Sequence, residues 1–185
     1  MKAIYAKHVR AQLEEQMAAQ FPHFEPFALR LKKDERHKAT VFPGERIFRW
    51  VPGGDLHCFI SVIPHQRQEK FMIEAGWSAL GRFPYDIRRP TASPTRERKE
   101  FSLAECMVSF ERLYHMKYGR AHLGWAVWKC SVDIDHPRFK EIFIEEDLAP
   151  VSEEQAFAMA KEAVRKAIED TRDVVIPYLT ERASL

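Results

Sequence analysis

Long apolar runs are missing from this chain, and no stretch reaches the roughly 18–20 residues that a membrane-spanning helix requires. Glycine is sparse, 7 residues in 185, and nowhere gathers into the turn that opens a nucleotide-binding helix. Its two richest turns, Pro43-Gly44-Glu45-Arg46 and Pro52-Gly53-Gly54-Asp55, join strand-like runs instead. Cysteine is limited to Cys58, Cys106 and Cys130, an odd number without CxxC spacing. That pattern argues against a disulfide framework or zinc knuckle and predicts buried thiols in a reducing compartment. There is no HExxH helix and no GxSxG elbow, and Ser61 stands in the middle of a strand-like run. The opening segment is charged throughout and has no signal-peptide apolar run, so the expected location is the cytoplasm. No cofactor and no resident metal are implied, and neither is a membrane partner.

Hydrophobic residues make up 45% of the chain, enough for a substantial core in one domain spanning 1–185. Tyr5, Val9, Leu13 and Met17 recur every four positions and predict an amphipathic helix over residues 3–20, stopped near Phe21 by Pro22. Phe27, Leu29 and Leu31 alternate as in a strand. Ile47–Val51 and Leu56–Ile63 flank a hairpin connection, with an expected pairing of Val51 with Leu56, Trp50 with His57 and Phe48 with Phe59. Residues 69–77 form the next strand. That register predicts one core face of Phe48, Trp50, Phe59, Phe71 and Ile73. The other face then carries Ile47, Val51, Cys58, Ile60, Val62 and Met72, together with Arg49 and Glu74.

Farther on, Ser102-Leu-Ala-Glu105 resembles a capping box opening a helix, although Val108, Phe110 and Tyr114 also suit a strand. Residues 122–132 read as a strand, and Ser152-Glu-Glu-Gln155 caps a long final helix. Its stripe is Phe157, Ala160, Val164, Ala167, Ile168 and Thr171, and Pro177 is expected to kink or end it near Ile176. The class predicted is α+β: a single antiparallel sheet of about five strands, packed against an N-terminal and a long C-terminal helix.

The net charge of +2 hides an uneven distribution. A proline-containing stretch, 82–101, reads as a long basic loop. Arg82, Tyr85, Arg88, Arg89, Arg96 and Arg98 there are the candidate partner-binding residues, for a protein or, in a competing reading, for phosphates with Tyr85 stacking on a base. Residues 133–154 are acidic, and Asp133, Asp135 and His136 are a compact group that fits a solvated turn better than a cation site. A third reading places a small polar ligand near Arg49, His57 and Glu74. Arg49 and Glu74 could pair across the strand carrying Cys58, whereas simple alternation sets His57 and Glu74 on opposite faces. Cys106 and His115, nine residues apart on the expected helix, are too distant for proton transfer.

The runs Gly44-Glu-Arg-Ile-Phe-Arg-Trp50, Leu56 to Pro64 and Phe71 to Gly76-Trp77, with a helix closing on Ile176-Pro177-Tyr-Leu, resemble a widespread bacterial family of small α+β domains of unknown function. The resemblance spans residues 3–180, with 82–118 as the distinctive stretch. It implies a fold and a bacterial origin and carries over no catalytic residue. The function expected is a non-catalytic protein-binding or regulatory module, immunity- or antitoxin-like, with an unidentified protein partner or a homo-oligomeric assembly.

Overall fold

The computed structural model describes residues 1, 3–30, 42–65, 69–84, 104–122, 124–127 and 151–184. Helix α1 (Ala3–Gln20) buries the stripe Tyr5, Val9, Leu13 and Met17. Strands β1 (Glu25–Phe27), β2 (Arg46–Gly53), β3 (Leu56–Pro64), β4 (Lys70–Ser78) and β5 (Glu105–Ser109) form one antiparallel sheet in sequence order. The short β6 (Trp125–Ala126) also pairs with β4, through Phe71 opposite Trp125. Helix α2 (Phe110–Tyr118) follows β5 directly. Helix α3 (Glu153–Asp170) lies against α1, then runs through a π-helical turn (Thr171–Val175) into α4 (Ile176–Ala183). The α+β class with a helix at each end of the chain is therefore as expected.

The β2–β3 register departs from the expected one. Arg49 faces Phe59, Trp50 faces Cys58, and Gly53 faces Leu56 around a two-residue turn of Gly54 and Asp55. Three steps on β2 (Trp50 to Gly53) oppose two on β3 (Leu56 to Cys58), so one residue of β2 is a bulge. The four-residue turn assumed from Pro52 to Asp55 missed this because Gly54, at φ +55°, permits a tighter reversal. A one-residue slip turns every side chain of a strand over. Cys58, Ile60 and Val62 thus join Phe48, Phe71, Ile73 and Ala75 beneath the helices, with Trp50 against them. Phe59 moves to the opposite face with Ile47, Met107 and Phe83.

Three further corrections concern the second half. Glu105–Ser109 is a strand, not the start of a helix, because it completes a ladder with β4 in which Cys106 faces Trp77 and Val108 faces Ala75. The helix begins one step later, with the Ser109 hydroxyl accepting from the Arg112 N–H as N-cap. On α3 the capping box of Ser152 and Gln155 forms as expected. Phe157, however, lies at the exposed rim against the His8 ring, and Ala156 and Ala163 take its place in the buried stripe. Finally, Pro177 does not end the helical run. The chain widens by one residue into the π turn, where the Ile176 N–H reaches back to the Thr171 carbonyl, and Pro177 falls in the first turn of α4, where its missing N–H costs nothing. The expected strand features at Leu31 and 128–132 and the acidic 133–150 segment lie outside the described residues.

Candidate functional site

The sheet face opposite α1 and α3, helix-free among the described residues, collects most of the polar candidates. Its register rows run Arg49, Phe59, Gly76, Met107, then Ile47, Ser61, Glu74, Ser109, then His57, Ser78, Glu105. His57 and Glu74 therefore share this face, contrary to the alternation expected from the sequence, and Arg49 shares it with them. They are not brought together in one cluster. The Arg49 guanidinium lies 5.1 Å from the centre of the Phe27 ring, on the β1 side and away from β4, while Glu74 stands two strands off and one row down. His57 stands beside Phe59 with ring centres 6.2 Å apart. Burial first, then the nearby Arg49 charge, hold its imidazole below the ordinary value, and Asp55 opposes both.

The centre of this face is aromatic. Phe83, from the segment after β4, returns edge-on to Phe59 at 5.1 Å and stacks parallel to Phe27 at 6.3 Å. At its margin, Glu105 is fully buried, with the Ser78 hydroxyl 3.4 Å away and Arg82 Nε at 3.2 Å. Arg82, expected to be a partner-binding arginine, therefore holds a buried carboxylate, an arrangement that is costly to break. Tyr85, Arg88, Arg89, Arg96 and Arg98 lie outside the described residues.

Several clefts flank the helices. One, of about 810 Å³, lies between β6 and α3. There Trp125 Nε1 donates to Asp170 Oδ2 at 2.8 Å, and His122 Nε2 approaches the same oxygen at 3.6 Å. The Gly124 N–H donates to His122 Nδ1 at 3.1 Å, which leaves the proton of a neutral ring on Nε2, facing the carboxylate. Phe110, Tyr114 and Trp125 surround that imidazole at 4.8 to 5.0 Å between ring centres. The second cleft, about 480 Å³, lies between α1 and the far end of β2–β3. Neither cleft was legible in the sequence, since each is built by residues more than 30 positions apart.

The thiols are placed for packing. Cys58 is wholly buried, and burial pushes its thiol up to about 12. Cys106 lies on β5, 3.3 Å from the Tyr178 hydroxyl, and is raised chiefly by burial. His115 is on α2, so the two never shared a helix. Among the described residues no group of three or more His, Cys, Asp or Glu could hold a metal ion, and no helix is long and apolar enough to cross a membrane. Comparisons with protein-family models, with curated proteins and with solved structures find no match to this chain.

Proposed function

We propose that this chain is a non-catalytic protein-binding or regulatory module, of the immunity or antitoxin kind, that engages a protein partner through the hairpin end of its sheet. The observation that carries this reading is an apolar rim at the root of the basic stretch. Val51 and Leu80 are 44% and 49% exposed at the end of the sheet where β2 turns into β3 and the chain leaves β4. The Gly81 N–H donates to the Asp55 carbonyl at 2.8 Å and ties these two segments together. Exposed aliphatic groups at the start of a stretch whose sequence carries Arg82, Arg88, Arg89, Arg96 and Arg98 combine apolar contact with a cationic segment, which suits an acidic protein surface. Elsewhere the polar groups serve the fold: Glu105 holds Arg82, Asp170 holds Trp125, and Glu45 accepts from Ser61. A cytoplasmic setting, with reduced thiols, and membership of the bacterial α+β family named above belong to the same proposal.

The test is capture of partners from native cells with tagged protein, with and without nuclease. It is paired with a variant carrying Leu80→Asp and glutamates at Arg88, Arg89, Arg96 and Arg98. Arg82 is kept, because reversing it would strand Glu105. One stoichiometric protein, resistant to nuclease and lost by the variant, is expected. A partner held equally by the variant rejects this surface, and binding that vanishes with nuclease and falls steeply with salt supports nucleic acid instead.

A second reading, a small polar ligand on the helix-free face, is favoured by the register that sets Arg49, His57 and Glu74 on one side of the sheet. It predicts ligand-dependent movement of the His57 ring resonances. Resonances unmoved across a panel of small acids and amines reject it.

A further inference from the structure

The cleft between α1 and the end of β2–β3 carries chemistry of its own, at the opposite end of the sheet from the hairpin. Its floor is apolar: Val9 and Leu13 of α1, Val62 of β3 and Phe71 of β4 line it. Those four side chains belong to the core and are at most 4% exposed, so the floor is fixed by the packing of the domain. Among the described residues, the charged side chains in its lining are cationic, namely Lys7, Arg10 and Arg46.

The two arginines are incompletely neutralised. Arg10 Nε donates to Glu14 Oε1 at 3.2 Å, and Arg46 Nε lies 3.2 Å from the same oxygen without being aligned to donate to it. One carboxylate thus serves two guanidiniums and leaves a surplus positive charge above an apolar floor. Lys7 is engaged by Glu153 from α3 and adds no free charge. The Arg10 side chain is 60% exposed and turns only its Nε to Glu14, which leaves its terminal nitrogens for a second carboxylate. A volume of about 480 Å³ lies within the range of small-ligand sites. At about 30 Å³ per water-sized group, it accommodates on the order of sixteen non-hydrogen atoms.

We infer that this cleft binds a monomeric medium-chain alkyl carboxylate, its chain along Ala6, Pro43 and Pro64 over the floor of Val9, Leu13, Val62 and Phe71 and its carboxylate on Arg10 beside Arg46. An amine-headed chain meets an excess of cations there, since Glu14 is already shared between two guanidiniums, and a short acid leaves the exposed apolar lining uncovered. The larger cleft beside α3 does not compete for such a ligand, because Glu162, Glu169 and Asp170 outnumber Lys166 in its lining.

Calorimetry with the full chain tests this, using acetate, hexanoate, octanoate and decanoate below their micellar concentrations, with decyltrimethylammonium as the cationic control. Saturable one-to-one binding is expected for the longer acids, tightening about fourfold per CH₂ buried. The Arg10→Gln variant is expected to weaken decanoate binding about tenfold while keeping the chain-length dependence. Methyl NMR on the unaltered protein gives a second readout that depends on no variant: Val9, Leu13 and Val62 should shift with decanoate, and Val127 in the other cleft should not. Absence of saturable binding overturns the inference. So do equal affinity for the cationic chain, an unaffected Arg10→Gln variant, or shifts centred on Val127.

Discussion

Gly76 and Met107 face each other across the β4–β5 pair, and the space that a Cβ on Gly76 would fill is already taken. Such an atom would lie 2.6 Å from the Met107 sulfur and 2.7 Å from the Cys106 carbonyl oxygen. The thioether can swing aside, but the carbonyl belongs to the strand ladder and cannot. The glycine before Trp77 is thus what lets β5 dock on β4. Gly76→Ala should destabilise the domain by about 1–3 kcal/mol in denaturant unfolding. Adding Met107→Ala should return only part of that loss, since the contact with the Cys106 carbonyl persists. Full recovery would mean that the sulfur alone sets the spacing.

The Trp125–Asp170 hydrogen bond joins β6 to the last turn of α3. Trp125→Phe keeps an aromatic ring against Phe71, whose ring centre is 5.7 Å away, but removes the N–H donor and leaves space where the larger indole of this buried residue stood. Because Asp170 is about one-third exposed, water replaces part of the bond, which accounts for about 1 kcal/mol of a larger total loss. In a double-mutant cycle with Asp170→Ala, which leaves no acceptor, the two changes should be less than additive. Strict additivity would show that the bond contributes nothing.

The His57 ring should titrate below its ordinary value of 6.5. The sign follows from the neutral form being favoured in the fold. The unfolded chain binds the proton more readily, so this residue's contribution to stability is complete above 6.5 and is lost as pH falls through the lower folded value. Followed by NMR, Arg49→Gln should raise the midpoint towards 6.5, and Asp55→Asn should lower it further. Opposite movements would show that the charges acting on His57 are not these two.

Cys58 and Cys106 should resist alkylation in the native state at neutral pH, because burial keeps both thiols protonated. In a Cys130→Ser background, mass spectrometry after iodoacetamide treatment should show no modification until denaturant is added. Labelling of Cys106 alone would indicate that α4 detaches from β5, since Tyr178 of α4 covers that thiol.

The lysine at the end of α2 offers a test of the π turn. The Lys117 ammonium donates to the Asp173 carbonyl, four residues before Pro177, which has no N–H to offer it. Lys117→Met should raise amide hydrogen exchange around Val174 and Val175 with little change in global stability, the contact being exposed. Unchanged exchange would mean that solvent satisfies the carbonyl equally well.

Features whose determinants are local could be read directly. The four-residue spacing of Tyr5 to Met17 needs only helix geometry to identify the buried stripe. Ser152 and Gln155 cap α3 through atoms three residues apart. Where the outcome depended on a long-range partner, reading failed. Glu105 to Ser109 carries both a capping pattern and a strand pattern, and the β4 ladder selected the second. The helix-free face was misassigned for a smaller reason: the bulge between Trp50 and Gly53 is worth one residue, and strand period turns that into a change of face. Arg82 was visible as a charge, but its role beside Glu105 was not.

The sequence by itself determined the class of fold, the two terminal helices, the meander and the absence of the familiar catalytic signatures, because periodicity, capping and turn residues act over a few positions. Tertiary structure alone decided which side of β3 meets the helices and that Arg49, His57 and Glu74 share a face. It also decided that Arg10 and Arg46 converge on one oxygen of Glu14 above an apolar cleft. Those relations depend on register and docking, which join residues far apart in the chain through packing that no local pattern encodes.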